Sequence, residues 1–433
     1  MSRFIIEGGH VLQGTIRAGG NKNAALPILA ACLLTDQPIT LHNIPEIQDV
    51  HTAMLILQDL GVSVEPAGPG SWHIHAANIQ KSSLDRRLAA RIRASIVFSG
   101  PLLARFGRTE LPIPGGDVIG GRPLDTHVTG LEALGARVDL EPAQSMFSIS
   151  AAPLRGAGYL LQPEASVTAT ENTVMAAVLS PGETIIDNAA SEPHVRDLCR
   201  FLNQIGARIE GVGSNRLHIQ GVDRLGGGEF TIGADFMEVG SFIGAAAVTN
   251  GHIRIQEASP ADLGMIGLVY QRLGVTWEIE GDDVIVPAGQ EMCIEPALGG
   301  RIPEIKPLPW PGFPPDLMSI AVVIASQSKG SVLLHDWMYE SRFFFVDKLK
   351  FMGAQMVLCD PHRVLVQGPS PLHADPHGVT SPDIRAGMAM VLASLCAQGT
   401  STIHNIHQID RGYERVEEKL AALGANIRRE NEM

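Results

Sequence analysis

Apolar residues along the chain mark out one pattern six times. A helix-like run closes with an apolar residue, Gly, Ala or Val, any residue, then another apolar residue. The phrase reads Leu60-Gly61-Val62-Ser63-Val64, Leu134-Gly135-Ala136-Arg137-Val138, Ile205-Gly206-Ala207-Arg208-Ile209, Leu273-Gly274-Val275-Thr276-Trp277, Met352-Gly353-Ala354-Gln355-Met356 and Leu423-Gly424-Ala425-Asn426-Ile427. Its glycines stand 74, 71, 68, 79 and 71 residues apart. A glycine after an apolar turn supplies the left-handed residue that ends a helix, and the alternation beyond it begins a strand. A second element keeps the same beat. Short β-rich runs at 39–44, 184–188, 253–257, 332–336 and 402–405 follow alanine-rich helical stretches, and 111–113 holds the matching place in the second repeat. The pattern predicts six copies of one unit of about 70 residues, each with strands and two helices.

Six such units in 433 residues exceed one ordinary core, and three per domain is the natural division. The boundary falls near residue 233, giving one domain of 21–233, with a glycine-rich loop at 112–127, and another of 1–20 and 234–433. The strands expected within 4–20 resemble the end of a unit, so the chain's start is expected to pair with the C-terminal half. Aromatic residues make up only 5%, which suits close helix packing in an α/β protein. Residues 303–315 hold six prolines and read as an extended loop leading into a helix near Asp316.

The net charge of -13 argues against a general nucleic-acid binder. Five cysteines, Cys32, Cys199, Cys293, Cys359 and Cys396, show no C-x-x-C pairing and read as buried thiols in a reducing cytoplasm. The first residues run directly into a strand pattern, and no apolar segment reaches the length of a membrane span. A soluble cytoplasmic protein is the expectation, with no membrane partner. Metal-site spacings, a P-loop and a dinucleotide fingerprint are absent from the sequence, and no cofactor is implied.

Candidate chemistry concentrates at 114–127. Four glycines within 115–121 accompany Asp117, Arg122, Asp125 and His127, so backbone N–H groups can approach a ligand beside an acid, a base and an imidazole. Cations stand at unexpected places. Lys22 lies at the mouth of an alanine-rich helix, where the helix dipole favours anions. Arg93 and Arg385 open helix-like runs, Arg342 precedes three phenylalanines, and Arg411 lies in Ile409-Asp410-Arg411-Gly412-Tyr413-Glu414-Arg415. Any one of these is ordinarily a surface ion pair. Together they point to a bound polyanion in a cleft, with Lys22, Arg93 and Arg122 from one half and Arg342, Arg385 and Arg411 from the other.

Several longer motifs are specific. They are Asn21-Lys22-Asn23-Ala24-Ala25-Leu26-Pro27, Arg93-Ala94-Ser95, Pro114-Gly115-Gly116-Asp117, Arg122-Pro123-Leu124-Asp125, Phe313-Pro314-Pro315-Asp316, Pro382-Asp383-Ile384-Arg385-Ala386-Gly387 and the run from His407 to Arg415. This set, spread over essentially the whole chain, resembles the UDP-N-acetylglucosamine 1-carboxyvinyltransferases of the enolpyruvyl transferase family. The resemblance implies two inside-out α/β barrel domains, each of three repeated units with buried central helices. It implies transfer of the enolpyruvyl group of phosphoenolpyruvate to the 3′-hydroxyl of UDP-N-acetylglucosamine, by addition and elimination, in peptidoglycan precursor synthesis.

Carried over motif by motif, the resemblance assigns roles. Lys22 and Asn23 contact phosphoenolpyruvate, and Arg122 and Arg411 hold its phosphate and carboxylate. Arg93 and the run Arg122, Pro123, Leu124, Asp125, Thr126 hold the UDP-sugar, with Met338 lining the same pocket. Asp316 faces the attacking hydroxyl as base or orienting acceptor, although an Asp there could equally be a helix N-cap. Arg342 and Arg385 complete the anion cradle. Asp117 stands where most members carry the cysteine that donates the proton and is alkylated by fosfomycin. It is expected to be the proton donor, and the enzyme to resist that epoxide. Glu164 and Thr168 replace a lysine and a glycine common in the family near the uridine, and Ser191 replaces an arginine. Two other readings stay open: an enolpyruvyl transferase acting on shikimate 3-phosphate or a nucleotide, and a non-catalytic UDP-sugar sensor.

Overall fold

A computed structural model describes residues 2–116, 120–141 and 145–431. The chain forms two compact units. One takes the described residues of Met1–Gly19, Val118–Gly121 and Ala234–Met433, the other those of Gly20–Asp117 and Arg122–Gly233.

The repeat is visible in both. All six phrase glycines have positive φ, from +86° to +110°, and each directly follows the C-cap residue of a helix. The helices they end are Gln48–Asp59, Asp125–Ala133 and Pro193–Gln204 in one unit, and Gly264–Arg272, Val346–Phe351 and Val416–Ala422 in the other. These outer helices are amphipathic. In Pro193–Gln204, for example, Val195, Leu198, Phe201 and Leu202 face inward at helical spacing.

The alanine-rich runs form the second set of helices, and these are buried nearly all round. Lys22–Ala31, Ser99–Phe106 and Val167–Ala177 lie within one unit; Phe236–Val248, Met318–Gln327 and Ile384–Cys396 lie within the other. Ile384–Cys396 has twelve buried residues of thirteen, a pattern possible only for a helix surrounded by protein on all sides. Alanine and serine at these positions let neighbouring helices approach closely. Each inner helix feeds a strand with period-2 burial, such as His252–Gln256 or Thr400–His404, so sheets cover the helices from outside. Among the described residues there are five four-stranded sheets and one of three strands.

The first strands belong to the C-terminal part of the chain. Ser2–Glu7 runs antiparallel between Thr400–His404 and Asn426–Asn431, and Gln13–Arg17 pairs in parallel with His252–Gln256. In the other unit, Gly228–Thr231 pairs in parallel with Ile39–His42 and so joins the third repeat to the first.

One expectation needs correction. Only Cys32 and Cys199 are fully buried, whereas Cys293 and Cys359 are exposed. Cys359 lies on the outermost strand of its sheet, Met356–Asp360, where alternation turns it to solvent. The helix expected near Asp316 starts at Met318, after a 3-10 turn at Pro315–Leu317.

Candidate active site

The site residues lie on the loops and helix starts that join inner helices to their neighbours. In the unit of Gly20–Gly233, Lys22 is the first residue of an inner helix. Asn21 caps that helix, its side chain accepting hydrogen bonds from the N–H groups of Asn23 (2.8 Å) and Ala24 (3.2 Å). A lysine here opposes the helix dipole, and the protein supplies the counter-charge itself. Lys22 Nζ lies 2.8 Å from Asp49 Oδ2, both side chains under a tenth exposed. Its position therefore does not by itself require a bound anion, which corrects the argument from helix polarity.

Arg93 opens a 3-10 turn, half-buried, and donates to the carbonyl of Arg122. That hydrogen bond ties two of the expected substrate-binding segments together. The glycine-rich loop lies against the same place: a Cβ on Gly115 would stand 1.7 Å from the carbonyl oxygen of Ala90. Asp117, expected as the proton donor, lies outside the described residues.

Beyond Arg122 the chain enters the helix Asp125–Ala133, with Pro123 and Asp125 exposed and Leu124 packed on the core. Thr126 and His127 are buried. Thr126 donates to Glu164 Oε1 (3.1 Å), and His127 Nε2 lies 3.0 Å from the hydroxyl of Thr168. The amide of Asn172 settles the tautomer. Its oxygen accepts from the Gly100 N–H at 2.6 Å, so its NH2 faces both Ser99 Oγ (2.8 Å) and His127 Nδ1 (3.2 Å). Nδ1 is thus an acceptor, and the ring proton sits on Nε2. Burial, reinforced by the Arg93 charge, pushes the His127 pKa down to about 3, so the imidazole is neutral. Glu164 and Thr168, read from sequence as departures near the nucleotide, are hydrogen-bonded to Thr126 and His127.

The second cluster belongs to the other unit, and the structure brings three of the expected residues into contact. Asp316 stands between two guanidinium groups: Oδ1 is 3.3 Å from Arg342 Nη2, and Oδ2 is 3.0 Å from Arg385 Nε. The helix that follows has no side-chain cap, so the N-cap reading of Asp316 does not hold. Both arginines are nearly enclosed, with 3% and 5% of their side chains exposed. Arg342 lies over the Tyr339 ring at 5.0 Å, and Arg385 over the Tyr413 ring at 5.2 Å. Arg385 Nη1 is buried with no acceptor, as is Arg342 Nε, which faces Asp336 Oδ2 at 3.5 Å. A buried guanidinium N–H without an acceptor is rare and marks a place for a ligand oxygen.

Arg411 ends the 3-10 turn Ile406–Arg411, half-buried, and donates to Gln408 Oε1 at 2.8 Å. Met338 is half-buried, its N–H donating to Asp336. Asp336 was not anticipated. It is fully buried, its Oδ1 accepts from the N–H groups of Met338 (3.0 Å) and Tyr339 (3.1 Å), and its Oδ2 lies 3.5 Å from Arg342 Nε. Burial raises its pKa, and the nearby Arg342 opposes the rise. A signal for it did exist: Val332, Leu334 and Asp336 continue one period-2 face, which puts the carboxylate on the core side. Asp383, by contrast, caps the helix Ile384–Cys396 through the N–H groups of Arg385 and Ala386.

This fold, with carboxylates and buried cations at its loops, is that of an enolpyruvyl transferase. The enolpyruvyl transferase NikO from Streptomyces tendae superposes over 100% of this chain and 99% of its own, with a TM-score of 0.87 at 21% identity. EPSP synthase from Acinetobacter baumannii covers both chains in full, with a TM-score of 0.74 at 18% identity. The chain belongs to the EPSP synthase (3-phosphoshikimate 1-carboxyvinyltransferase) family, whose model matches residues 6–420. Relatives within it are much nearer in sequence. The UDP-N-acetylglucosamine 1-carboxyvinyltransferase of Treponema denticola is 52% identical over 99% of both chains. That of Bradyrhizobium diazoefficiens is 53% identical over 99% of this chain and 98% of its own, and that of Borreliella burgdorferi 50% over 99% of each.

Proposed function

We infer that this chain transfers the enolpyruvyl group of phosphoenolpyruvate to the 3′-hydroxyl of UDP-N-acetylglucosamine, releasing phosphate, in peptidoglycan precursor synthesis. The observation that carries the reading is the buried Arg342–Asp316–Arg385 cluster with the unfilled Nη1 of Arg385, in a chain half identical over its whole length to enzymes of that name. Both substrates are anionic, and cations already in place cost little reorganisation when substrate arrives.

In the addition step, the sugar hydroxyl oxygen attacks C2 of phosphoenolpyruvate while C3 takes a proton. Asp316 orients that hydroxyl and accepts its proton, and Asp117 is the donor to C3. Elimination reverses the C3 transfer: a proton returns from C3 to Asp117, the C2=C3 bond reforms, and the bond from C2 to the phosphate oxygen breaks. Lys22, Asn23, Arg122 and Arg411 hold the phosphate and carboxylate, and Arg342 and Arg385 complete the cradle. Arg93, Pro123, Leu124, Asp125, Thr126 and Met338 hold the UDP-sugar. Among the described residues no helix is long and apolar enough to cross a membrane, and the reading implies a cytoplasmic reaction.

Phosphate release from phosphoenolpyruvate tests this directly. It should require UDP-N-acetylglucosamine and disappear in Asp316→Ala. Release with shikimate 3-phosphate in its place would give the chain another acceptor, and release with neither would leave it a non-catalytic binder.

A further inference from the structure

Arg385 is held from behind as well as from in front. In front, its Nε donates to Asp316. Behind it lies Tyr413, 1% exposed, which presents its ring face and also accepts a hydrogen bond from the guanidinium. The Tyr413 oxygen stands 2.8 Å from Ser241 Oγ, and Ser241 itself donates to the carbonyl of Met237 at 2.8 Å.

Counting protons orders this chain. A serine hydroxyl has one proton, and Ser241 gives it to Met237, so Ser241 must accept from Tyr413. Tyr413 then spends its only proton on Ser241, and its oxygen is left to accept from Arg385. Burial raises the Tyr413 pKa, so the hydroxyl keeps that proton at neutral pH. The guanidinium is thereby anchored through two hydroxyls to the first turn of the inner helix Phe236–Val248. A phenylalanine could fill the same volume without burying a hydroxyl. What the hydroxyl adds is a fixed direction for Arg385, leaving Nη1 free of any protein acceptor.

We propose that Tyr413 is a positioning residue: with Ser241 behind it, it sets the guanidinium of Arg385 toward the phosphoenolpyruvate anion and, through Arg385, the carboxylate of Asp316. The proposal rests on the reading of Asp316 and Arg385 as parts of the active site.

The test is steady-state phosphate release by the full-length protein, with the two substrates varied separately, for Tyr413→Phe, Ser241→Ala, Arg385→Lys and Tyr413→Phe with Arg385→Lys. Losing a hydrogen bond to a charged group should raise the KM for phosphoenolpyruvate in Tyr413→Phe by about tenfold or more, with the KM for UDP-N-acetylglucosamine within about twofold. Ser241→Ala should shift the same constant in the same direction by less. The double variant should be little worse than Arg385→Lys alone, because both changes act through one group. If Tyr413→Phe lowers only the thermal midpoint, or raises both KM values alike, or multiplies fully with Arg385→Lys, Tyr413 merely packs and the proposal fails. If Arg385→Lys itself leaves turnover unchanged, it is the active-site reading that fails.

Discussion

His127 makes the stability of its unit depend on pH in a way that a single substitution can expose. Its pKa falls from the ordinary 6.5 to about 3 through burial, with the Arg93 charge as the second cause. The sign follows from proton binding. Below pH 6.5 the unfolded chain protonates this imidazole and the folded chain does not, so acid favours unfolding. The contribution is therefore complete above 6.5 and is lost progressively as pH falls toward the folded value. The slope in that window is about 1.4 kcal/mol per pH unit, which makes the protein about 2 kcal/mol less stable at pH 5 than at pH 7 through this residue alone. At 3% exposure, little solvent screening reduces the figure.

The variant to compare is His127→Gln, whose amide can still donate and accept but cannot titrate. Urea unfolding followed by circular dichroism at several pH values between 5 and 7 gives the two slopes. Other titrating groups act alike in both proteins and cancel in the difference. Wild type should lose stability more steeply, by the amount above, whatever the variant's stability at neutral pH. Equal slopes would refute the reasoning, because they would mean that His127 protonates in the folded state or is hydrated there. Arg93→Gln should shorten the window from its acid end, since removing that charge raises the folded pKa.

Three further outcomes follow from single contacts. Asp49→Asn removes the carboxylate 2.8 Å from the enclosed Lys22 and should cost about 3 kcal/mol in chemical denaturation, with phosphoenolpyruvate recovering more stability in the variant than in wild type. Fosfomycin should leave wild-type turnover intact while inactivating Asp117→Cys irreversibly, since a thiolate opens an epoxide far faster than a carboxylate does; progress curves after preincubation show which occurs. Gly115→Ala should lower turnover by tenfold or more, roughly, while the melting midpoint moves little, because the loop and not the core must yield to the new methyl group at the Ala90 carbonyl.

The parts of this protein legible in its sequence are those whose cause is local. A glycine ending a helix needs only its own backbone conformation, so six such glycines announce six outer helices without reference to anything distant. The inner helices are legible for a similar reason, because only a helix buried on all sides tolerates runs such as Phe236–Val248. Lys22 also stood out locally, as a cation at a helix start, but its partner Asp49 did not. A carboxylate in the first turn of Gln48–Asp59 is what the helix dipole favours anyway, and nothing in the sequence separates that preference from an ion pair.

The site itself is the opposite case. Asp316, Arg342 and Arg385 span 70 positions, Ser241 lies 172 residues from Tyr413, and what joins them is three inner helices of one unit lying side by side. Each residue was visible as an oddity, yet the order in which they hold one another was not. That order decides the chemistry. Arg342 has a buried carboxylate, Asp336, in addition to Asp316, while Arg385 shares Asp316, is backed by the neutral Tyr413 hydroxyl and feels the charge of Asp235. Arg342 Nε and Arg385 Nη1 are both buried without a hydrogen-bond acceptor, and Nε already faces Asp336 Oδ2 at 3.5 Å. An incoming anion meets the Asp336 carboxylate beside Arg342 Nε but a neutral hydroxyl behind Arg385, which makes Arg385 Nη1 the better placed of the two for a ligand oxygen and Arg342 chiefly the clamp that keeps Asp316 in place.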